Sequence, residues 1–352
     1  MKGANRSVKK LNLVLPLLVL FSTAAHSFPG RSLKIRNWGL SNQASNIEKA
    51  WSLPAGNRKV IVAVIDTGID ANHPDLKPNL WKAPSSLRNS RMDPVYGWDF
   101  VSKSPNPSDL HGHGTHIAGI IGAVANHKTG TSGVSQAVQI MPVRYYSESA
   151  PGSVNLANTI KSLHYAIDNG AKIINYSGGG PEYSEEEYQA MKKAEQHGVL
   201  IVAAAGNDHH NTDVEDFRYY PAAYQLKGLR NIITVASIDA DNQILASSNW
   251  GVRSVDVAAP GEGILSTIPG GRYGKMTGTS QATAFVSGIA ALILSRDPGL
   301  LPSQVKELII NNSTPVAGLR GKVASGGKVD AYRSLAAVEL SHSVGRTTAS
   351  KK

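Results

Sequence analysis

Asp66, His113 and Ser280 are the residues of this chain whose types and surroundings could together carry out nucleophilic chemistry. Asp66 opens Asp66-Thr67-Gly68-Ile69-Asp70. His113 opens His113-Gly114-Thr115-His116-Ile117-Ala118-Gly119. Ser280 lies in Gly278-Thr279-Ser280-Gln281-Ala282. A serine hydroxyl is a weak nucleophile at neutral pH and needs an imidazole to take its proton. The imidazole turns cationic during attack, and a buried carboxylate fixes its tautomer and stabilises that charge. The oxygen of an attacked carbonyl becomes an anion and needs donors set in place beforehand. Ser280 at a helix start would supply its own backbone N–H, where the helix dipole favours negative charge. Asn207, ending Ala203-Ala204-Ala205-Gly206-Asn207, would supply a side-chain amide.

Taken singly these segments say little. Asp-Thr-Gly also suggests an aspartic peptidase, which needs a second acidic motif that the chain lacks. His111-x-His113 suggests a metal pair, which needs further ligands. The chain has no cysteine, so disulfides, iron–sulfur clusters, thiolate zinc sites, a lipid-modified cysteine and a cysteine nucleophile are all excluded.

The elements that must position these residues read as an alternation. Apolar runs at Val60–Ile65, Val138–Val143, Lys172–Tyr176, Val199–Ala205 and Asn231–Ser237 have the length of buried strands. Leu156–Asn169 and Glu185–His197 have helical spacing and stop near Gly170 and Gly198. Another apolar helix runs from Gly278 through Leu294. This order predicts a three-layer α/β/α fold with a mostly parallel central sheet, whose sites form beyond the carboxyl ends of the strands. Asp66 and Asn207 fall there. Residues 84–110, rich in Pro, Ser, Asn and Asp, read as a surface loop.

Together, in the order Asp, His, Ser, with the Asn207 segment between the last two, the motifs resemble those of subtilisin-like serine proteases. The resemblance runs from about Trp38 to Leu335 and includes Trp38-Gly39-Leu40, His73-Pro74-Asp75-Leu76 and Ser177-Gly178-Gly179-Gly180-Pro181. It implies a serine endopeptidase acting on protein or peptide substrates, with Asp66, His113 and Ser280 as triad and Asn207 at the oxyanion. It implies Ser177, Gly178 and Gly179 as one backbone rail for an extended substrate, and Gly152–Val154 as the other. Ala204, Ala205 and Gly206 would line the pocket for the residue before the cut. Gly178 departs from a larger apolar residue common in relatives, which implies a wider outer subsite. No cofactor is needed for the chemistry. A structural calcium is implied at Asp75 and Asn126, although Lys128 beside Asn126 opposes it. An inactive peptide-binding relative and a peptide ligase on the same site are the alternatives.

Residues 1–27 have the layout of a secretory signal peptide: Lys2, Arg6, Lys9 and Lys10, then an apolar stretch over residues 11–21, then Ala25-His26-Ser27. The apolar stretch falls short of the ~20 residues that a spanning helix needs. This predicts export, to a periplasm or beyond the cell, with no stable membrane insertion. Residues 28–340 read as the peptidase domain and 341–352 as a basic, disordered tail. The formal charge of +10 falls to +6 without the first 27 residues, and no basic run interleaved with aromatics suggests nucleic acid. A monomer is expected. The short span between residue 28 and the first core strand leaves no room for a folded pro-domain, so activity after signal removal alone is expected. The acids Asp208, Asp213, Glu215 and Asp216 leave two readings of the first pocket, cation-preferring or apolar behind a solvated loop.

Overall fold

The computed structural model describes residues 37–54, 56, 60–84, 96–105, 107–124 and 130–339. Asn126, the expected signal segment (1–27) and the expected tail (341–352) lie outside them.

The apolar runs form strands. β1 is Val60–Asp66, β3 Val138–Arg144, β4 Ile173–Tyr176, β5 Leu200–Ala204 and β6 Ile232–Ile238, and all five pair in parallel. β2 (Trp98–Asp99) and β7 (Val257–Pro260) extend the sheet. With β10 (Thr314–Pro315) and β11 (Gly327–Lys328), its order among the described residues is β10-β11-β7-β6-β5-β4-β1-β3-β2, and β10 alone runs antiparallel to its neighbour. Side chains in a strand alternate between faces, and here both faces are buried. Val60, Val62 and Val64 of β1 join one core with α2 (His113–Gly122) and α5 (Thr279–Arg296). Ala63 and Ile65 join the opposite core with α3 (Gly152–Asp168) and α4 (Glu185–Gln196). That two-sided burial explains why the strands read as continuous apolar runs. The fold is the expected three-layer α/β/α arrangement.

Helix α5 is buried almost all round, as its apolar stretch from Ala284 to Leu294 and the small polar residues before it allow. It crosses under β4, β5, β6 and β7, so its amino end lies beneath the carboxyl ends of the central strands. A hairpin of β8 (Ile264–Ile268) and β9 (Arg272–Met276) delivers the chain to that end. Its turn uses Gly270 (φ 83°) and Gly271 (φ 68°), a left-handed pair that side chains resist.

Two expectations are corrected. Gly152–Val154 is the first turn of α3 and not an extended rail: Pro151 holds the N-cap position, and Val154 and Asn155 already donate to its carbonyl. The stretch 84–110 is not all loop, since Trp98–Asp99 adds a strand beside β3, and Asp109 is buried.

Candidate active site

Asp66 ends β1 and His113 begins α2. His113 Nδ1 lies 2.7 Å from Asp66 Oδ1 and 2.9 Å from Oδ2, with both residues buried. The Nδ1–H therefore donates to the carboxylate, and Nε2 is left to act on the other side of the ring. The approach requires glycine at position 114, where a Cβ would stand 2.1 Å from the Gly68 carbonyl oxygen. Burial opposes charge on His113, but the Asp66 carboxylate beside it, aided by Asp109, outweighs this and raises the imidazole above its ordinary 6.5. His116, one turn on, is held near 3 by burial and by His113, and its Nε2 meets the Ile264 and Gly274 carbonyls. It pins α2 to the β8–β9 hairpin.

Asp109 is the residue that sequence reasoning missed. Its Oδ1 accepts from Thr67 Oγ1 (2.9 Å) and the N–H groups of His111 (3.0 Å) and Gly112 (2.7 Å). Its Oδ2 accepts from Thr115 N (2.9 Å) and Thr115 Oγ1 (2.6 Å). One carboxylate thus satisfies the Thr115 N–H at the start of α2 and two amides just before it, and ties α2 to the turn after β1. Thr67 Oγ1 in turn accepts from Gly114 N at 3.0 Å.

Ser280 lies in the first turn of α5, where N–H groups have no intrahelical acceptor. Its hydroxyl donates to the Ser177 carbonyl at 3.0 Å. Ser177 in turn shares a small pocket with Asp66, His113 and Gly178, so Ser280 is bonded to a residue that lines the same pocket as the Asp66–His113 pair. Asn207 Oδ1 accepts from Thr279 N (3.0 Å) and Thr279 Oγ1 (3.2 Å). That fixes the amide orientation and leaves its two N–H donors aimed away from Thr279.

Ala204, Ala205 and Gly206 close β5. Asn249 clamps them, giving its Nδ2–H to the Ala205 carbonyl at 2.9 Å and its backbone N–H to the Gly206 carbonyl at 3.0 Å. Gly178 has no room for a side chain, because a Cβ would meet the Tyr145 hydroxyl at 2.2 Å. The space that the sequence suggested was open is therefore filled at that point. Two of the four acids beyond Asn207 are engaged elsewhere: Asp213 accepts from Ser254 and Arg253, and Glu215 pairs with Arg218 at 2.9 Å, whereas Asp208 Oδ2 accepts from Asn249 Nδ2 at 3.3 Å.

Asp75 Oδ2 accepts from Thr131 N (3.0 Å) and Tyr273 OH (2.8 Å). Among the described residues no group of three or more His, Cys, Asp or Glu is placed to hold a metal.

Comparison with known proteins gives the family. The subtilase family profile matches residues 57–341. Thermitase of Thermoactinomyces vulgaris is 37% identical over 288 residues, covering 82% of this chain and 92% of thermitase. The thermophilic serine proteinase of Bacillus sp. (strain AK1) is 34% identical over 293 residues, covering 83% of this chain and 66% of that longer protein. The major intracellular serine protease of Bacillus subtilis (strain 168) is 36% identical over 249 residues, covering 70% of this chain and 71% of its own length. In structure, a protease from Pseudoalteromonas arctica PAMC 21717 superposes with a TM-score of 0.70 at 26% identity, covering 86% of this chain and 97% of that one. The chain belongs to the subtilase family of serine-type endopeptidases.

Proposed function

We propose that this endopeptidase cleaves peptide bonds through Asp66, His113 and Ser280, with an acyl-enzyme intermediate. The observation that carries the reading is the doubly bonded His113–Asp66 pair beside the Ser177 carbonyl on which the Ser280 hydroxyl rests. His113 Nε2 takes the Ser280 proton as Oγ attacks the scissile carbonyl, and Asp66 stabilises the imidazolium. The Ser280 N–H and the Asn207 amide receive the developing oxyanion. His113 then gives the proton to the leaving amine, and water repeats the cycle on the ester. The substrate strand lies along Ser177–Gly179, with the residue before the cut directed toward Ala204–Gly206.

The test is mass spectrometry of products from a peptide library. Ser280→Ala, His113→Ala or Asp66→Ala should each remove most turnover, and doubles should be little worse than singles, since the three act as a unit. Asn207→Ala should lower kcat by about 10²–10³ with KM little changed. Wild-type turnover in purified Ser280→Ala would overturn the assignment.

The reading extends to export with cleavage after Ser27, to residues 28–340 as the working monomeric domain and to residues 341–352 as a tail. No helix among the described residues is long and apolar enough to cross a membrane, but relatives include one named as intracellular. N-terminal sequencing of the mature protein checks the cleavage. The calcium implied by resemblance would be held by Asp75 with Asn126 and loop carbonyls, although donors already fill Asp75 Oδ2. A melting temperature indifferent to chelator would dismiss it.

A further inference from the structure

A cavity of about 320 Å³ opens between Gly179–Pro181 and the first two turns of α3. Its size is at the low end of the range for small-ligand sites. Its walls include Tyr145, Tyr146, Tyr176 and Tyr220. The exposed Glu182 and the buried Glu187 also line it. Neither Lys nor Arg lines it.

Glu187 is short of partners. Tyr176 OH lies 3.0 Å from Oε1, and Tyr224 OH lies 2.8 Å from Oε2. Tyr224 has one proton, and the Ser184 carbonyl, at 2.9 Å, competes for it. A carboxylate can accept about four hydrogen bonds, and no cation pairs with this one among the described residues. Burial pushes its carboxyl up, against the two tyrosine hydroxyls that favour the charged form. The tyrosine faces around it also attract cations.

The sheet order says which part of a substrate reaches this place. Ala204–Gly206 continues β5, on one flank of β4, whereas Tyr145 and Tyr146 follow β3, on the other. Side chains of an extended peptide alternate between flanks. If the residue before the cut faces Ala204–Gly206, the second and fourth residues before the cut face the cavity side. Ser177 marks the nucleophile, and Gly180 is three residues further, roughly 10 Å at ~3.3 Å per residue. That is the reach from the first residue to the fourth.

Resting on the endopeptidase reading, we infer that this cavity is a cation subsite, in which Glu187 selects Lys or Arg at the fourth residue before the scissile bond. The test uses the full chain and four fluorogenic peptides identical except for Ala, norleucine, Lys or Glu at that position. Wild type should show a kcat/KM for Lys at least about tenfold above norleucine, with Glu the poorest. In Glu187→Gln the Lys-to-norleucine ratio should collapse toward unity. Norleucine equal to or above Lys in wild type, or an unchanged ratio in Glu187→Gln, overturns the inference while Ser280-dependent cleavage of the Ala peptide upholds the protease. If Glu187→Gln does not fold, the wild-type order alone decides. Absence of Ser280-dependent cleavage of all four peptides would overturn both readings.

Discussion

The amino ends of α2 and α4 each carry a buried acid, and the two acids have opposite circumstances. At α2, Asp109 does the capping itself and is saturated by five donors. At α4, Ser184 is the cap, accepting from Glu187 N at 3.2 Å, and the Glu187 side chain turns instead toward two tyrosines and a cavity. Where an acid closes the helix it becomes scaffold. Where a serine closes the helix, the acid is released for recognition. A third buried acid, Asp256, supplies the reference: Lys306 Nζ lies 2.9 Å from its Oδ1, and Thr234 N donates to Oδ2 at 2.8 Å.

The comparison breaks first at Asp109. Asp109→Ala leaves two hydroxyls and three backbone donors without an acceptor, and should cost about 3–5 kcal/mol in urea unfolding. The milder Asp109→Asn should lower kcat by loosening α2. It should also move the acid limb of the kcat/KM profile to lower pH, because Asp109 helps hold His113 above 6.5 and His113 must be neutral to act as base. An acid limb unmoved in Asp109→Asn would deny it that electrostatic share.

Lys306→Met should put Asp256 into the state that Glu187 already occupies, and cost about 3 kcal/mol by the same measurement. A loss under ~1 kcal/mol would mean that buried acids in this fold need no counter-charge, and the contrast with Glu187 would lose its force.

Glu187 should give a smaller effect of opposite sense. Its folded value is raised above 4.5, so between the ordinary and raised values the native state keeps a proton that the unfolded chain has lost. Stability should therefore fall as pH climbs through that window. Glu187→Gln should flatten this slope and leave the protein as stable or more so at the alkaline side, read as Tm against pH. A Tm profile identical to wild type would show that the carboxyl ionises unperturbed.

The smallest effect is expected at Glu215, an exposed acid paired with Arg218. Glu215→Gln should change stability by less than ~1 kcal/mol and leave the preference for the residue directly before the cut unchanged. A shift in that preference would restore the acidic run after Asn207 as a pocket determinant.

Asp66, His113, Ser280 and Asn207 stood out in the sequence because the proposed chemistry demands particular residue types at particular ends of strands and helices, and the structure places Asp66 at the end of β1, His113 at the start of α2 and Ser280 in the first turn of α5. The continuous apolar runs gave five central strands to within a residue or so. Gly152–Val154 was misread because resemblance supplied an extended rail where Pro151 begins a helix. The short strands β2, β10 and β11 carry too little periodicity to be seen, and the β8–β9 hairpin was hidden by its modest hydrophobicity. Asp109 was lost in a stretch whose composition says loop. Glu187 left a usable signal: it shares a helical stripe with Ala190, Met191 and Ala194, and an acid on an apolar stripe invites a question.

Gly178 and Tyr145 behave as one variable spread over two positions. The tyrosine hydroxyl occupies the volume that any side chain at 178 would need, and Tyr146 and Tyr176 meet its ring edge-on at 6.0 Å each, which resists its displacement. Mutational history through this pair therefore has a direction. A lineage that shortens residue 145 first passes through a tolerable void, after which residue 178 is free to grow. The reverse order meets a clash at its first step. Directed evolution that samples single substitutions at 178 would see a dead end, while the neighbouring solution lies two ordered steps away.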